Sequence, residues 1–71
     1  MDENDTVNYI ADEYRNARSK FGGFHSAHEG YAVLKEEVDE MWDAIKSNDI
    51  KHAKKEAIQV AAMALAFVLE C

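Results

Sequence analysis

Proline is absent from this chain of 71 residues, and its three glycines, Gly22, Gly23 and Gly30, fall within one short region. Proline and glycine are the residues that helix interiors tolerate least. Apolar residues recur at three- and four-residue spacing on both sides of the glycines, as they do on one face of an α-helix. The sequence therefore predicts an all-α fold, a single domain of three helices over residues 1–71.

The first predicted helix covers about residues 6–20. Asn4 or Asp5 can serve as its N-cap, because short polar side chains accept hydrogen bonds from the first turn. Gly22-Gly23 follows the last turn and can adopt the left-handed conformation that ends helices. The residues expected to be buried form one stripe: Val7, Ile10, Ala11, Tyr14, Ala17 and Phe21.

The second predicted helix begins after Ser26 and ends at about Lys46. The run Ser26-Ala27-His28-Glu29 matches a capping box, in which the serine caps the first turn and the glutamate bonds back to the cap. The side of this helix expected to be buried is again an apolar stripe: Tyr31, Leu34, Val38, Met41, Trp42 and Ile45.

The third predicted helix covers about Ile50 to Leu69 and follows a turn at residues 47–49. Because so short a turn reverses the chain, the second and third helices are expected to form an antiparallel helical hairpin. The second half of the third helix is apolar nearly all round and needs cover on every side. Two preceding helices cannot supply that cover, so a partner subunit is predicted to pack against it.

The size of the chain also favours assembly. At this length a chain buries only roughly 60% of its unfolded surface, so a single core is marginal. Disulfides cannot compensate, because Cys71 is the only cysteine. Oligomerisation is a common remedy for small cores, and we expect a four-helix-type bundle formed by a homodimer or homotetramer.

Charge and hydropathy exclude two kinds of partner. The net charge is −6, from 14 acidic and 8 basic residues, whereas nucleic-acid binding requires a basic surface. The longest apolar run, residues 57–69, is shorter than the roughly 20 residues of a membrane span. A single cysteine and the absence of a signal peptide predict a cytoplasmic protein.

Five of the eight residues from Glu36 to Asp43 are acidic. Glu37 and Glu40 lie at the edge of the predicted stripe and are the pair best placed to face a neighbouring helix. Folding the hairpin brings them towards Glu56, and Gln59 shares the face of Glu56. Oxygen ligands of this kind suit Mg²⁺, with Mn²⁺ as a substitute.

Basic residues near the start of the third helix suggest a substrate. Lys54 and Lys55, together with Lys51, are candidates for attracting a triphosphate. Magnesium takes substrate phosphates as further ligands. The implied reaction is metal-assisted hydrolysis of a phosphoanhydride, in which a carboxylate activates water.

Residues 28–42 resemble the EExxE helix of the MazG-like nucleotide pyrophosphohydrolases, and residues 55–64 resemble the ExxD helix of that family. The 15 residues between Glu40 and Glu56 fit the variable gap between the two motifs. The resemblance extends over about residues 6–70. It implies an all-α, oligomeric, magnesium-dependent enzyme that cleaves a nucleoside triphosphate to monophosphate and pyrophosphate.

The resemblance also implies roles for individual residues. Glu37, Glu40 and Glu56 match the metal-binding acids, and Gln59 falls on the fourth ligand position. Glu36 matches the first glutamate of the motif and is predicted to support the attacking water. His28, beside the start of the second helix, is a candidate substrate contact together with Lys54 and Lys55.

Two departures from the family pattern keep alternatives open. Gln59 replaces an aspartate, so the site loses one charge and metal affinity should fall. The sequence also ends after the third helix, where many relatives continue into a fourth. The alternatives are a catalytically weak nucleotide-binding or structural module, and a helical interaction subunit with a solubilising acidic face. A di-iron protein is disfavoured, because no Glu-x-x-His pair is present.

Overall fold

Three α-helices account for most of the chain, as the sequence predicts. The computed structural model describes residues Met1–Cys71, with α1 at Glu3–Phe21, α2 at Ala27–Lys46 and α3 at Ile50–Glu70. The bounds of α2 and α3 agree with the prediction to within a residue. No helix combines the length and hydrophobicity that a membrane span requires.

The start of α1 differs from the prediction. The helix begins three residues before Thr6, because Asp2 is the N-cap and its carboxylate accepts a hydrogen bond from the Asp5 N–H at 2.8 Å. Asp5 and Asn4, the predicted caps, therefore lie inside the first turn. Several short polar residues in succession can each cap a helix, and local sequence does not rank them.

The start of α2 is a modified capping box. Ser26 Oγ accepts from the Glu29 N–H at 3.1 Å, as predicted. The Glu29 carboxylate reaches one residue further back and accepts from the backbone N–H of His25 at 3.0 Å. This hydrogen bond lowers the pKa of Glu29.

The turn between α2 and α3 confirms the antiparallel hairpin. Asn48 adopts the left-handed conformation (φ 61°), which asparagine tolerates better than most residues. Asp49 then caps α3, with its carboxylate accepting from the His52 N–H at 3.1 Å.

Helix α3 lies between the other two helices. It packs against both α1 and α2, whereas the backbones of α1 and α2 do not approach one another. The contacts Gln59–Glu13 and Glu70–Arg18 show that α1 runs parallel to α3. The side of α3 that carries these contacts is therefore the side covered by α1.

The core of a single chain is small. Only six residues are buried, none of them a large aliphatic or aromatic residue except Met63: Gly30, Ala44, Ala53, Ala62, Met63 and Ala66. The small residues allow close helix packing. A Cβ added to Gly30 would lie 2.8 Å from Cδ2 of Phe67 and 3.1 Å from Cδ2 of Phe24.

The predicted apolar stripe of α2 coincides only in part with its buried side, since Leu34 and Met41 are half-buried and the other four members are exposed. Gly30 and Ala44 are buried, and the half-buried residues beside them are Val33, Leu34, Glu37 and Met41. The larger members of the stripe remain exposed: Tyr31, Val38, Trp42 and Ile45. Helices α2 and α3 approach so closely that only small side chains fit at their contact. The bulky residues of α2 therefore lie on a side of the helix that does not face α3. On α1, Val7 and Phe21 are likewise exposed.

A polar cluster at the end of α3 joins α1, the α1–α2 loop and α3. The Glu70 carboxylate accepts hydrogen bonds from Tyr14 Oη at 3.2 Å, from Arg18 Nε and from the Phe24 N–H at 3.0 Å. The Arg18 guanidinium also lies over the rings of Tyr14 and Phe24, 5.5 and 4.8 Å from their centroids. Burial opposes ionisation of Glu70, but the bonds from Phe24 and Arg18 outweigh it and hold its pKa below the usual value.

Candidate metal site

Three carboxylates meet across the contact between α2 and α3. Glu37 and Glu40 are three residues apart on α2, which places them on one side of that helix, and Glu56 faces them from α3. One oxygen from each lies within 4.8 Å of the other two. Glu37 and Glu56 are half-buried, and Glu40 is exposed. We call these residues the carboxylate cluster.

The electrostatics of the carboxylate cluster show how unfavourable three adjacent negative charges are. Burial, followed by hydrogen bonding with Glu56 and the charge of Glu40, raises the pKa of Glu37 to about 7. The pKa of Glu40 is also raised, first through hydrogen bonding with Glu56 and then through burial. Near neutral pH the cluster therefore favours a bound proton or a bound cation.

Glu56 carries an unpaired buried oxygen. When Glu37 and Glu40 are both ionised, its Oε2 atom has no contact with solvent and no hydrogen-bond partner, whereas a proton on either neighbour allows a hydrogen bond with Glu56. The other oxygen, Oε1, lies 3.4 Å from Nε2 of His52. A buried polar atom without a partner is unfavourable by about 1–3 kcal/mol. A cation among the three carboxylates would satisfy it, and an all-oxygen donor set with room for water fits Mg²⁺ or Mn²⁺.

The carboxylate cluster opens to solvent beside the α2–α3 turn. A shallow cleft there is lined almost entirely by polar residues: Glu40, Asp43, Ala44, Ser47, Asp49, His52 and Glu56. Water and phosphate-sized groups can thus reach Glu40 and Glu56 from this end of the hairpin. Asp39 and Asp43 are exposed.

Gln59 contacts α1. Its amide Nε2 donates a hydrogen bond to Oε2 of Glu13 at 2.8 Å. Glu13 is half-buried and is not among the site residues predicted from the sequence. No local pattern marks it, because the two partners are 46 positions apart in the chain.

The other predicted site residues lie outside the carboxylate cluster. Glu36 lines a second cleft, which Arg18, Phe24 and Met63 also border. Lys54 and Lys55 are exposed and border a third cleft, beside the first residues of α1. His28 is exposed and makes no side-chain hydrogen bond or ion pair. The structure thus brings together Glu37, Glu40 and Glu56, and it separates the two lysines from them.

No protein-family model, curated protein or solved structure matches this chain. The resemblance to the MazG-like enzymes stays a prediction that rests on the two motifs.

Proposed function

We propose that this protein is a magnesium-dependent nucleoside triphosphate pyrophosphohydrolase, which converts a nucleoside triphosphate to monophosphate and pyrophosphate. The observation that carries the proposal is the convergence of Glu37, Glu40 and Glu56, which each bring one carboxylate oxygen within 4.8 Å of the others. Glu37 and Glu40 belong to the first motif identified in the sequence, and Glu56 belongs to the second. The proposal extends to a homodimer or homotetramer in the cytoplasm.

In the proposed reaction, three residues bind the metal ion and a fourth transfers a proton. Glu37, Glu40 and Glu56 would hold Mg²⁺, or Mn²⁺ in its place, which would supply positive charge for the phosphates and Lewis acidity for the attacking water. The motif resemblance gives Glu36, one turn before Glu40, the role of accepting the proton of the attacking water; this role rests on the resemblance, because Glu36 borders a different cleft from Glu40 and Glu56. The water oxygen forms a bond to phosphorus, the phosphoanhydride bond breaks, and pyrophosphate leaves with the bonding electrons.

Replacing Glu56 by glutamine is expected to reduce turnover by roughly 100-fold or more, because a metal ligand and its charge are lost. The measurement is pyrophosphate release from a panel of nucleoside triphosphates with Mg²⁺ or Mn²⁺. Asp39→Asn is the matched control, since Asp39 is exposed and pairs only with Lys35. Equal activity in Glu56→Gln and Asp39→Asn would exclude the carboxylate cluster as the catalytic site.

The alternative function is a catalytically weak nucleotide-binding module, and Gln59 is the observation that favours it. Turnover that appears only in Gln59→Asp would support this alternative. That variant also removes the hydrogen bond to Glu13 and brings two carboxylates together, so its stability must be measured beside its activity. If neither the wild type nor Gln59→Asp hydrolyses a nucleotide or binds one in a metal-dependent way, the pyrophosphohydrolase and the nucleotide-binding module are both excluded.

A further inference from the structure

One side of α2 presents a row of exposed apolar residues. Its exposed fractions are 62% for Tyr31, 39% for Val38, 55% for Trp42 and 37% for Ile45. At about 100° per residue, these side chains lie about 80–140° around the helix from Glu37, which faces α3. Glu36 and Glu40 lie on the opposite side of Glu37. The apolar row and the acidic residues therefore occupy different flanks of α2.

Helix α3 carries a second apolar row. The same rotation places its members about 80–140° from Glu56, on the side opposite to Gln59 and Glu70: Ile50, Ala57, Ala61, Ala64 and Val68. Ile50 and Val68 are 53% and 76% exposed. Because Gln59 and Glu70 contact α1, most of this row lies on the side of α3 that α1 leaves uncovered, and only Ala57 also borders the cleft beside the first residues of α1.

The two rows form one surface. Helices α2 and α3 are antiparallel neighbours. On each helix the apolar row is reached by turning in the same sense from the residues that face the other helix, and for two antiparallel helices this turn leads to the same side of the hairpin. The rows therefore lie next to one another on the side opposite to α1. We call them together the hairpin face.

The composition of the hairpin face is self-complementary. The α2 row is bulky, with a tryptophan and a tyrosine, whereas the centre of the α3 row consists of three alanines. A two-fold axis through the face would place the α2 row of each copy against the α3 row of the other, as isologous contacts require. Large side chains would then fill the space above small ones, which is how well-packed layers interdigitate.

The accessible area of one chain is larger than that of an average monomer of the same mass. It is 5073 Å², whereas a folded monomer of 8.0 kDa is expected to expose about 4,450 Å². The chain therefore exposes roughly 600 Å² more than an average monomer of its mass, and a stable pair needs about 1,200 Å² buried in total, or roughly 600 Å² from each copy.

Charge does not oppose pairing through the hairpin face. The charged residues that border the α2 row are Lys35, Lys46 and Asp39, and Lys46 Nζ lies 5.9 Å from the ring centroid of Trp42. Most acidic residues of α2 lie on the opposite flank. Two hairpin faces can therefore approach with mixed charges at their edges, whereas two acidic flanks would repel.

We infer that the hairpin face binds a second copy of this chain and forms a four-helix bundle from two α2–α3 hairpins. Each carboxylate cluster is formed within one chain, at the contact between its own α2 and α3. The inference gives the assembly part of the proposed function a defined surface, and its test does not depend on hydrolysis.

Sedimentation velocity over a dilution series tests the inference. Trp42→Lys and Val68→Lys are each expected to weaken the dimer by roughly 30-fold or more, because each places an unpaired charge among the apolar side chains of the interface. Phe21→Lys is the matched control, because Phe21 is 81% exposed but lies on α1, away from the hairpin face. A wild-type monomer at every concentration up to about 0.1 mM, or unchanged association in either hairpin variant, would overturn the inference.

Trp42 is the only tryptophan in the chain and reports on the same surface without mutation. Its fluorescence emission is expected to move to shorter wavelength as the protein concentration rises, because the indole leaves water on association. Dimerisation without this shift would place the interface elsewhere and overturn the inference.

In the sedimentation experiment, Trp42→Gln replaces Trp42→Lys if circular dichroism shows that the lysine variant is unfolded.

Discussion

Replacing Arg18 by methionine is expected to lower the free energy of unfolding by about 3 kcal/mol, because the Glu70 carboxylate then stays buried without its partner. The side chains of Arg18 and Glu70 are only 18% and 15% exposed. A chain of this length has a total stability of roughly 4–10 kcal/mol, so the loss is a large fraction of the whole. Urea unfolding followed by circular dichroism at fixed protein concentration measures it.

Arg15→Met is the matched control for this prediction. Arg15 lies on the same helix and pairs with Asp12, but both side chains are 70% exposed, and exposed pairs contribute about 0–1 kcal/mol. The double variant Arg18→Met/Glu70→Leu removes both charges and is expected to recover part of the lost stability. Equal destabilisation in Arg18→Met and Arg15→Met would show that the contact between Arg18 and Glu70 does not stabilise the packing of α1 against α3.

Without divalent metal, the contribution of Glu37 to stability is expected to fall between pH 5 and pH 8. Its folded-state pKa of about 7 lies above the ordinary value, so the folded protein binds the extra proton. That stability is fully present below the unfolded pKa and is lost as the pH rises through the folded pKa. We expect a decrease on the order of 1–2 kcal/mol, reduced by the partial access of water to the cluster.

Magnesium is expected to oppose this decrease. We expect the ionised carboxylates to bind the ion at pH 8, where a concentration ten times the dissociation constant would add about 1.4 kcal/mol, and we expect protons to compete with the ion at pH 5. Urea unfolding at both pH values, with and without Mg²⁺ at matched ionic strength, measures the effect. Glu37→Gln should flatten the profile and Asp39→Asn should not. A magnesium effect of equal size at both pH values would contradict the site.

The helices were predictable because their signals are local. Ser26 and the Ser47-Asn48-Asp49 turn determine where α2 begins and ends, and both lie within a few residues of the structure they produce. The start of α1 was not predictable in the same way, since Asp2, Asn4 and Asp5 are chemically similar candidates. Only the folded geometry shows that Asp2 caps the helix.

The packing of α2 was harder to predict than its presence. Hydrophobicity alone favours Trp42 and Tyr31 as buried residues, yet the contact with α3 is made through Gly30 and Ala44, which permit a closer approach. The grouping of Glu37 and Glu40 with Glu56 followed from helical spacing and a hairpin. The hydrogen bond between Gln59 and Glu13 depends on how α1 packs, which spacing within one helix does not reveal.

Calorimetric titration of Mn²⁺ into the metal-free protein at pH 7 tests the carboxylate cluster most directly. We predict one ion per chain, with the release of at least about half a proton, because a group whose pKa is about 7 is half-protonated at that pH. Repeating the titration in buffers with different ionisation heats measures the proton. Binding should be lost in Glu56→Gln and retained in Asp39→Asn. No binding by the wild type, or equal binding by both variants, would contradict a metal site at Glu37, Glu40 and Glu56.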